Sequence, residues 1–189
     1  MNNESPPKSP PEIQDSWSQK ADEILKRTGA KAGYAYVLGL ENGRLVEELV
    51  RRSDLRVVAV DENPEKTDAL RKRLAASGLL GPRVSVFTAS PLDFGYPPYI
   101  AELIVSERPA ALGLDSPKTF LDEIYEALRP YGGVLCLELP PERLTSLSAA
   151  IEVASLENAH LERDGSLLLL ARQGALPVGR VKQVWTTRG

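Results

Sequence analysis

The sequence predicts an α/β fold: a doubly wound, mostly parallel sheet that ends in an antiparallel hairpin. Three observations predict it. Short apolar runs alternate with amphipathic stretches between residues 34 and 156, the sign of parallel strands joined by right-handed crossovers. The first run passes through a turn holding Gly39 and Gly43 straight into a helical stretch, and the next run ends on Asp61. Near the end of the chain, Asp164-Gly165 joins two further runs and is a strong hairpin signal. Five parallel strands and the hairpin make a seven-stranded sheet.

Each element has its own signals. Met1 to Pro11 is polar and proline-rich and cannot bury apolar surface, so residues 1–14 read as a disordered tail ahead of a domain over 15–173. Asp15 or Ser16 can cap a helix to about Arg27, with Trp17, Ala21, Ile24 and Leu25 on one face and Gly29 as its stop. The first strand is Tyr34 to Leu38, apolar throughout as a strand covered on both faces should be. Leu45, Val46, Leu49 and Val50 then line one side of a helix to Arg52. The second strand is Arg56 to Val60. Asn63-Pro64 opens a helix, proline being suited to a first helical position, and Ser77-Gly78 closes it. Its run Arg71-Lys72-Arg73 reads as a solvated face. Arg83 to Thr88 and Ala101 to Ser106 are the third and fourth strands, separated by a loop with Ser90, Asp93, Gly95, Pro97 and Pro98. Ser116-Pro117 starts a helix whose inner face is Phe120, Leu121, Ile124, Tyr125 and Leu128. Val134 to Leu139 is the fifth strand, and Pro140-Pro141 opens a helix to about Leu156. Ala159–Arg163 and Ser166–Arg172 form the hairpin. Residues 174–189 read as a loose tail, in which Val181 and Trp185 could dock.

Composition narrows the function. The chain has 189 residues, enough for one domain, and a hydrophobic fraction of 42% supports a real core. The net charge is −3, with no basic block, which argues against a nucleic-acid surface. One cysteine, Cys136, rules out an internal disulfide and a Cys-based zinc site; it lies in an apolar run and reads as a core thiol. The one histidine, His160, rules out a His-cluster metal site and reads as a surface residue. No apolar stretch reaches the ~20 residues needed to cross a membrane and no signal peptide is visible, so a cytoplasmic location is expected.

The chemistry-bearing residues cluster around the glycine turn. Glycines let backbone approach a ligand, and a helix N-terminus offers free N–H groups and partial positive charge to an anion. Asp61, about 20 residues on, can accept hydrogen bonds from ribose hydroxyls. Two readings stay open for each of these residues. Gly39 and Gly43 make a tight turn with or without a ligand, and Asp61 could instead cap the helix at Asn63-Pro64. Glu107, at the end of the fourth strand, could be a general base or a surface acid paired with Arg108. Tyr96 and Tyr99 could wall a substrate pocket or simply pack.

Three stretches together resemble the class I S-adenosylmethionine-dependent methyltransferases, Rossmann-like domains, from about Trp17 to Arg172. Val37-Leu-Gly39-x-x-x-Gly43-Arg-Leu45 resembles their glycine-rich first motif. Val58-Ala-Val-Asp61-Glu-Asn-Pro64 resembles the second, and Leu128-Arg-Pro-Tyr-Gly-Gly-Val134 the stretch before the fifth strand. Pro97-Pro-Tyr99 and Val105-Ser-Glu107 further resemble methyltransferase-like domains attached to PQQ-type β-propellers. The resemblance implies S-adenosylmethionine as cofactor and a small-molecule substrate, with no nucleic acid or membrane partner. It places Gly39, Leu40, Glu41 and Gly43 at the methionine end of the cofactor, Asp61 on the ribose and Glu62 beside the adenosine. Ser90 falls near the adenine, with Ser106 and the catalytic candidate Glu107 at the end of the fourth strand. The pattern departs from the family at three places: Val37 and Ser90 stand where acids are usual, and Glu41 replaces a glycine. Two carboxylates ~4 Å apart repel by about 4 kcal/mol at an intermediate effective dielectric, so a Glu41 facing the cofactor's carboxylate would weaken binding on the order of a thousandfold. The alternative to a working enzyme is a non-catalytic module that keeps only the fold.

Overall fold

The structure, a computed structural model, describes residues 15–175. Helix α1 spans Ser16–Thr28 and is followed by β1 (Ala32–Leu38), α2 (Arg44–Arg52), β2 (Asp54–Asp61), α3 (Pro64–Ala76), β3 (Val84–Thr88) and β4 (Ala101–Val105). A short 3₁₀ turn at Pro109–Ala111 precedes α4 (Pro117–Ala127), β5 (Gly133–Glu138), α5 (Pro141–Ala154), β6 (Ala159–Asp164) and β7 (Leu167–Arg172). The sheet order is β3-β2-β1-β4-β5-β7-β6. The first five strands run parallel, and β7 pairs antiparallel with both β5 and β6. The expected doubly wound sheet with a terminal hairpin is therefore the observed one. The expected tail over 1–14, and the docking of Val181 and Trp185, lie outside the described residues.

Helix ends follow the signals in the chain. Asp15 caps α1 through a reciprocal capping box with Ser18, and Gly29 at φ 70° ends it. Asn63, not Asp61, caps α3 by accepting from the Glu65 and Lys66 N–H groups. Among the parallel strands the alternation of strand and helix breaks once. Residues 89–100 between β3 and β4 form a loop with no helix, packed by a chain of rings from Phe87 through Phe94 and Tyr96 to Tyr36. Tyr96 is buried and donates its hydroxyl to the Pro91 carbonyl, so it packs rather than walling a cleft.

Side chains alternate along each strand and feed two cores. Ala35 and Val37 of β1 face α1, α2 and α3; Tyr36 and Leu38 face α4 and α5. Cys136 belongs to the first core, and burial pushes its thiol up to about 12. The thiolate is the reacting form, so at pH 8 the native chain should show almost no labelling by a chromogenic disulfide reagent. Full labelling of the single thiol should follow on adding denaturant; rapid labelling of the folded chain would contradict the burial.

The carboxyl end of β7 carries a group the sequence did not announce. Arg172 is buried, donates to the Tyr125 and Leu128 carbonyls at the end of α4, and lies 4.9 Å from the ring centres of both Tyr99 and Tyr125. It supplies the cation that the last turn of α4 lacks in its own sequence. Tyr99, half-buried, packs on Arg172 and with it and Tyr125 lines a cavity at the end of the sheet away from the Gly39 turn. Among the described residues no helix is long and apolar enough to cross a membrane, and no cluster of His, Cys, Asp and Glu could hold a metal ion.

Candidate cofactor cradle

The sheet reverses its direction of growth between β1 and β4, and in open α/β sheets the crevice at such a point, beyond the carboxyl ends of the strands, is where ligands bind. Val37 pairs with Val105 across this junction. The segments just past them, Gly39–Gly43 and Ser106–Arg108, therefore lie side by side. The Glu107 N–H donates to the Gly39 carbonyl at 3.2 Å and extends the pairing beyond the strands. A methyl group placed on Gly39 would sit 3.4 Å from the Arg108 carbonyl and 3.7 Å from the Ser106 hydroxyl. With φ at +70°, Gly39 holds a backbone shape that other residues adopt only with strain.

Every backbone N–H from Gly39 to Leu45 has a partner inside the chain. Gly39 donates to the Val60 carbonyl, and Leu40 to Asp61 Oδ2 at 2.5 Å. Glu41, Asn42 and Gly43 all donate to Glu107 Oε2, at 2.7, 3.0 and 2.8 Å. Arg44 donates to Asn42 Oδ1, and Leu45 to Glu107 Oε1 at 2.7 Å. Gly43 is the N-cap of α2 and has no side chain with which to cap it. The cap comes instead from Glu107, more than sixty residues away in sequence. One carboxylate thus satisfies a turn and a helix start together, where N–H groups and the helix dipole both favour negative charge.

The loop carbonyls are held too. Lys66 Nζ donates to Leu40 O at 2.6 Å, and Arg73 Nη2 to Asn42 O at 2.5 Å while its Nε reaches Glu47. Sequence reasoning missed both: Arg73 was expected on a solvated face, and Lys66 was not singled out. Their signal is positional, since both lie on the α3 side turned toward α2.

The expected site residues separate into those that meet here and those at the rim. Gly39, Leu40, Glu41, Gly43, Asp61, Ser106 and Glu107 converge. Asp61 is 3% exposed, and its Oδ1 accepts from the Asn63 N–H at 2.8 Å. Ser106 turns its hydroxyl to the Arg108 N–H at 2.9 Å. The Glu41 side chain is exposed, where solvent screens the repulsion expected of it. Glu62 is exposed, and Ser90 accepts from the Leu92 N–H in its own turn. Ser90 is brought near the end of β2 by its neighbour Ala89, whose N–H donates to the Asp61 carbonyl at 3.1 Å. Glu107 is 5% exposed and hydrogen-bonded on both oxygens, so it is not a surface acid paired with Arg108.

Residues 37–132 match the sequence profile of a family described as methyltransferase domain. The chain belongs to this methyltransferase-domain family. S-adenosylmethionine is the cofactor that membership brings. Solved structures agree in fold. A Methanococcus maripaludis protein named as a candidate S-adenosyl-L-methionine-dependent methyltransferase aligns with a TM-score of 0.67 at 20% identity, over 86% of this chain and 87% of that one. A SAM-dependent O-methyltransferase from Thermotoga maritima gives 0.66 at 13% identity, over 88% and 69%. A SAM-dependent methyltransferase from Aquifex aeolicus gives 0.63 at 18%, over 80% and 88%. No curated protein sequence matches the chain.

The methyltransferase domain's donor set suits that cofactor in kind. A row of converging N–H groups suits a carboxylate, a buried aspartate suits vicinal hydroxyls, and a glycine without a side chain suits close approach. A carboxylate does lie in the row, and it is the chain's own Glu107.

Proposed function

We propose that this domain is an S-adenosylmethionine-dependent methyltransferase acting on a small molecule, with the turn from Gly39 to Leu45 and Asp61 as its cofactor cradle. The observation that carries the reading is the convergence of the turn's N–H groups on one carboxylate at the β1/β4 junction. The same donors would hold the amino-acid end of the cofactor, and Asp61 the ribose. Glu62 and Ser90 would flank the adenosine, and Ser106 would line the junction. When bound, the cofactor supplies an electrophilic methyl group. The chain's contribution is to fix the acceptor in line with it and keep water away, which is where most of the rate would come from. Glu107, expected as a general base, is assigned here to anchoring the turn, because its lone pairs point at backbone N–H groups rather than at an acceptor.

Isothermal titration of the 189-residue chain with S-adenosylmethionine tests the reading. Saturable binding that weakens at least ~10-fold in Asp61→Ala, about 1.4 kcal/mol, is the expected result. Binding unchanged by that substitution would remove Asp61 from the cradle. Absence of binding up to millimolar concentration, in the native chain and in a variant lacking the Glu107 carboxylate, would favour the second reading. In that reading the domain is a non-catalytic module of the same fold. The complete internal pairing of the turn is the observation that favours it.

A further inference from the structure

We propose that Glu107 is an internal competitor for the cofactor's carboxylate, so that the cradle as folded prefers nucleosides without an amino-acid tail. The inference rests on the cradle assignment above and adds to it a selectivity and its cause. Three features carry it. First, the Glu107 carboxylate accepts from Glu41, Asn42, Gly43 and Leu45, leaving no backbone N–H between Gly39 and Leu45 without a partner. Second, the arrangement is built rather than incidental. The β1/β4 pairing continues into the Glu107 N–H bond to Gly39 O, which places the carboxylate under the turn, and Asp61, Lys66 and Arg73 hold the turn to it. Third, a second carboxylate arriving at the same N–H groups would meet Glu107 at contact distance. The Lys66 ammonium and Arg73 guanidinium point at the carbonyls of Leu40 and Asn42 rather than between two carboxylates.

A carboxylate-bearing ligand must therefore either displace Glu107 or bind beside it against like charge. A 5′-thionucleoside without the amino-acid tail faces neither cost. Its ribose can still reach Asp61, whose two oxygens each retain a second lone pair. Glu107 is thus a specificity-determining residue that acts by occupying the ligand's place.

The test compares two nucleosides on three proteins. 5′-Methylthioadenosine and S-adenosylhomocysteine share the nucleoside and the sulfur and differ in the amino-acid tail. In the native chain, calorimetry should show methylthioadenosine binding at least ~10-fold tighter than S-adenosylhomocysteine. In Glu107→Ala the order should reverse, because the vacated N–H groups now receive the tail. Glu107→Gln, which keeps the length and loses the charge, should narrow the gap and serves if the alanine variant does not fold. Equal affinity of the two nucleosides for the native chain, unchanged by either substitution, would overturn the proposal.

A second readout needs no nucleoside. Sodium formate should raise the melting temperature of Glu107→Ala above that of a sodium chloride control of equal ionic strength, and leave the native chain unmoved. Formate without effect on Glu107→Ala would show that the vacated N–H groups do not take a carboxylate, and would sink the competitor idea. Formate rescue with no nucleoside binding to any of the three proteins would keep Glu107 as the internal occupant and reject the cradle assignment, and with it the predicted selectivity.

Discussion

Glu107→Ala should lower the melting temperature of this domain by roughly 10 °C. The substitution removes a buried carboxylate that serves the Glu41, Asn42, Gly43 and Leu45 N–H groups together. Breaking a buried charged pairing by deleting one member costs about 3–5 kcal/mol. The partners here are N–H dipoles rather than a full charge, and the Glu41 and Asn42 residues are exposed, so water can reach part of the vacated space. The low end, about 3 kcal/mol, is the better figure, and at 2–4 °C per kcal/mol for a domain of this size it gives the stated shift. Glu107→Gln should lose about half as much. Its amide oxygen can accept in place of one carboxylate oxygen, but its NH₂ group turns two hydrogens toward N–H donors. Differential scanning fluorimetry of the three proteins in one buffer reads the order directly. If the alanine variant melts within about 2 °C of the native chain, Glu107 does not hold the turn, and a free carboxylate available for proton transfer becomes the better account of it.

Why this role was hidden in the sequence, while the turn itself was legible, follows from where the information lies. The strand, glycine turn, helix and acid between residues 33 and 61 are local features. Period, turn chemistry and a cap each read within a few residues, and the structure reproduces their boundaries closely. The hairpin at Asp164-Gly165 was legible for the same reason. Glu107 depends on something non-local: β4 must lie beside β1, with Val37 opposite Val105, before an acid two residues past the strand can meet residues 41–45. Strand adjacency across a crossover is not written in either segment alone. The two readings of Glu107 offered by its neighbours in sequence, general base or partner of Arg108, both missed that its partners are backbone groups. Arg73 was obscured in the same way. A run of Arg-Lys-Arg on a helix looks solvated until the turn of the neighbouring βα unit comes to rest against it. Asp61 was the reverse case. Its position was legible, and the packing settled one of its two readings, since Asn63 takes the capping role and leaves Asp61 facing the turn. Arg172 escaped notice because a cation that ends a hairpin strand reads as a surface residue, and only docking of β7 on β5 brings it under the end of α4.

The second large effect is expected from Glu48→Ala, at roughly 3–4 kcal/mol, or about 10 °C. Glu48 is fully buried on α2, and its carboxylate is ion-paired to Arg44 and Arg51 through one oxygen and to Arg52 through the other. The sequence places it among the residues of a wet face, next to the apolar stripe. The packing of α1 across α2 converts that face into an interface. Arg44 also pairs with Asp15 at the N-cap of α1, and Arg52 with Asp22. Glu48 therefore sits at the centre of a network whose outer members tie α1 down. Removing its charge takes the shared partner from three guanidinium groups already largely withdrawn from solvent, although Arg44 keeps Asp15 and Glu47 and Arg52 keeps Asp22. Surface pairs are worth little, so Asp22→Ala, which cuts one exposed outer contact, should cost under about 1 kcal/mol. The contrast is the test. If Glu48→Ala and Asp22→Ala shift the urea midpoint by similar small amounts at equal m-value, the arginines find water when Glu48 is gone, and the network is not what secures α1. A large gap between the two variants, narrowing little in 0.5 M salt, would establish that the pairing is buried and that the α1–α2 contact is held by charge as well as by Ala21 and Ile24.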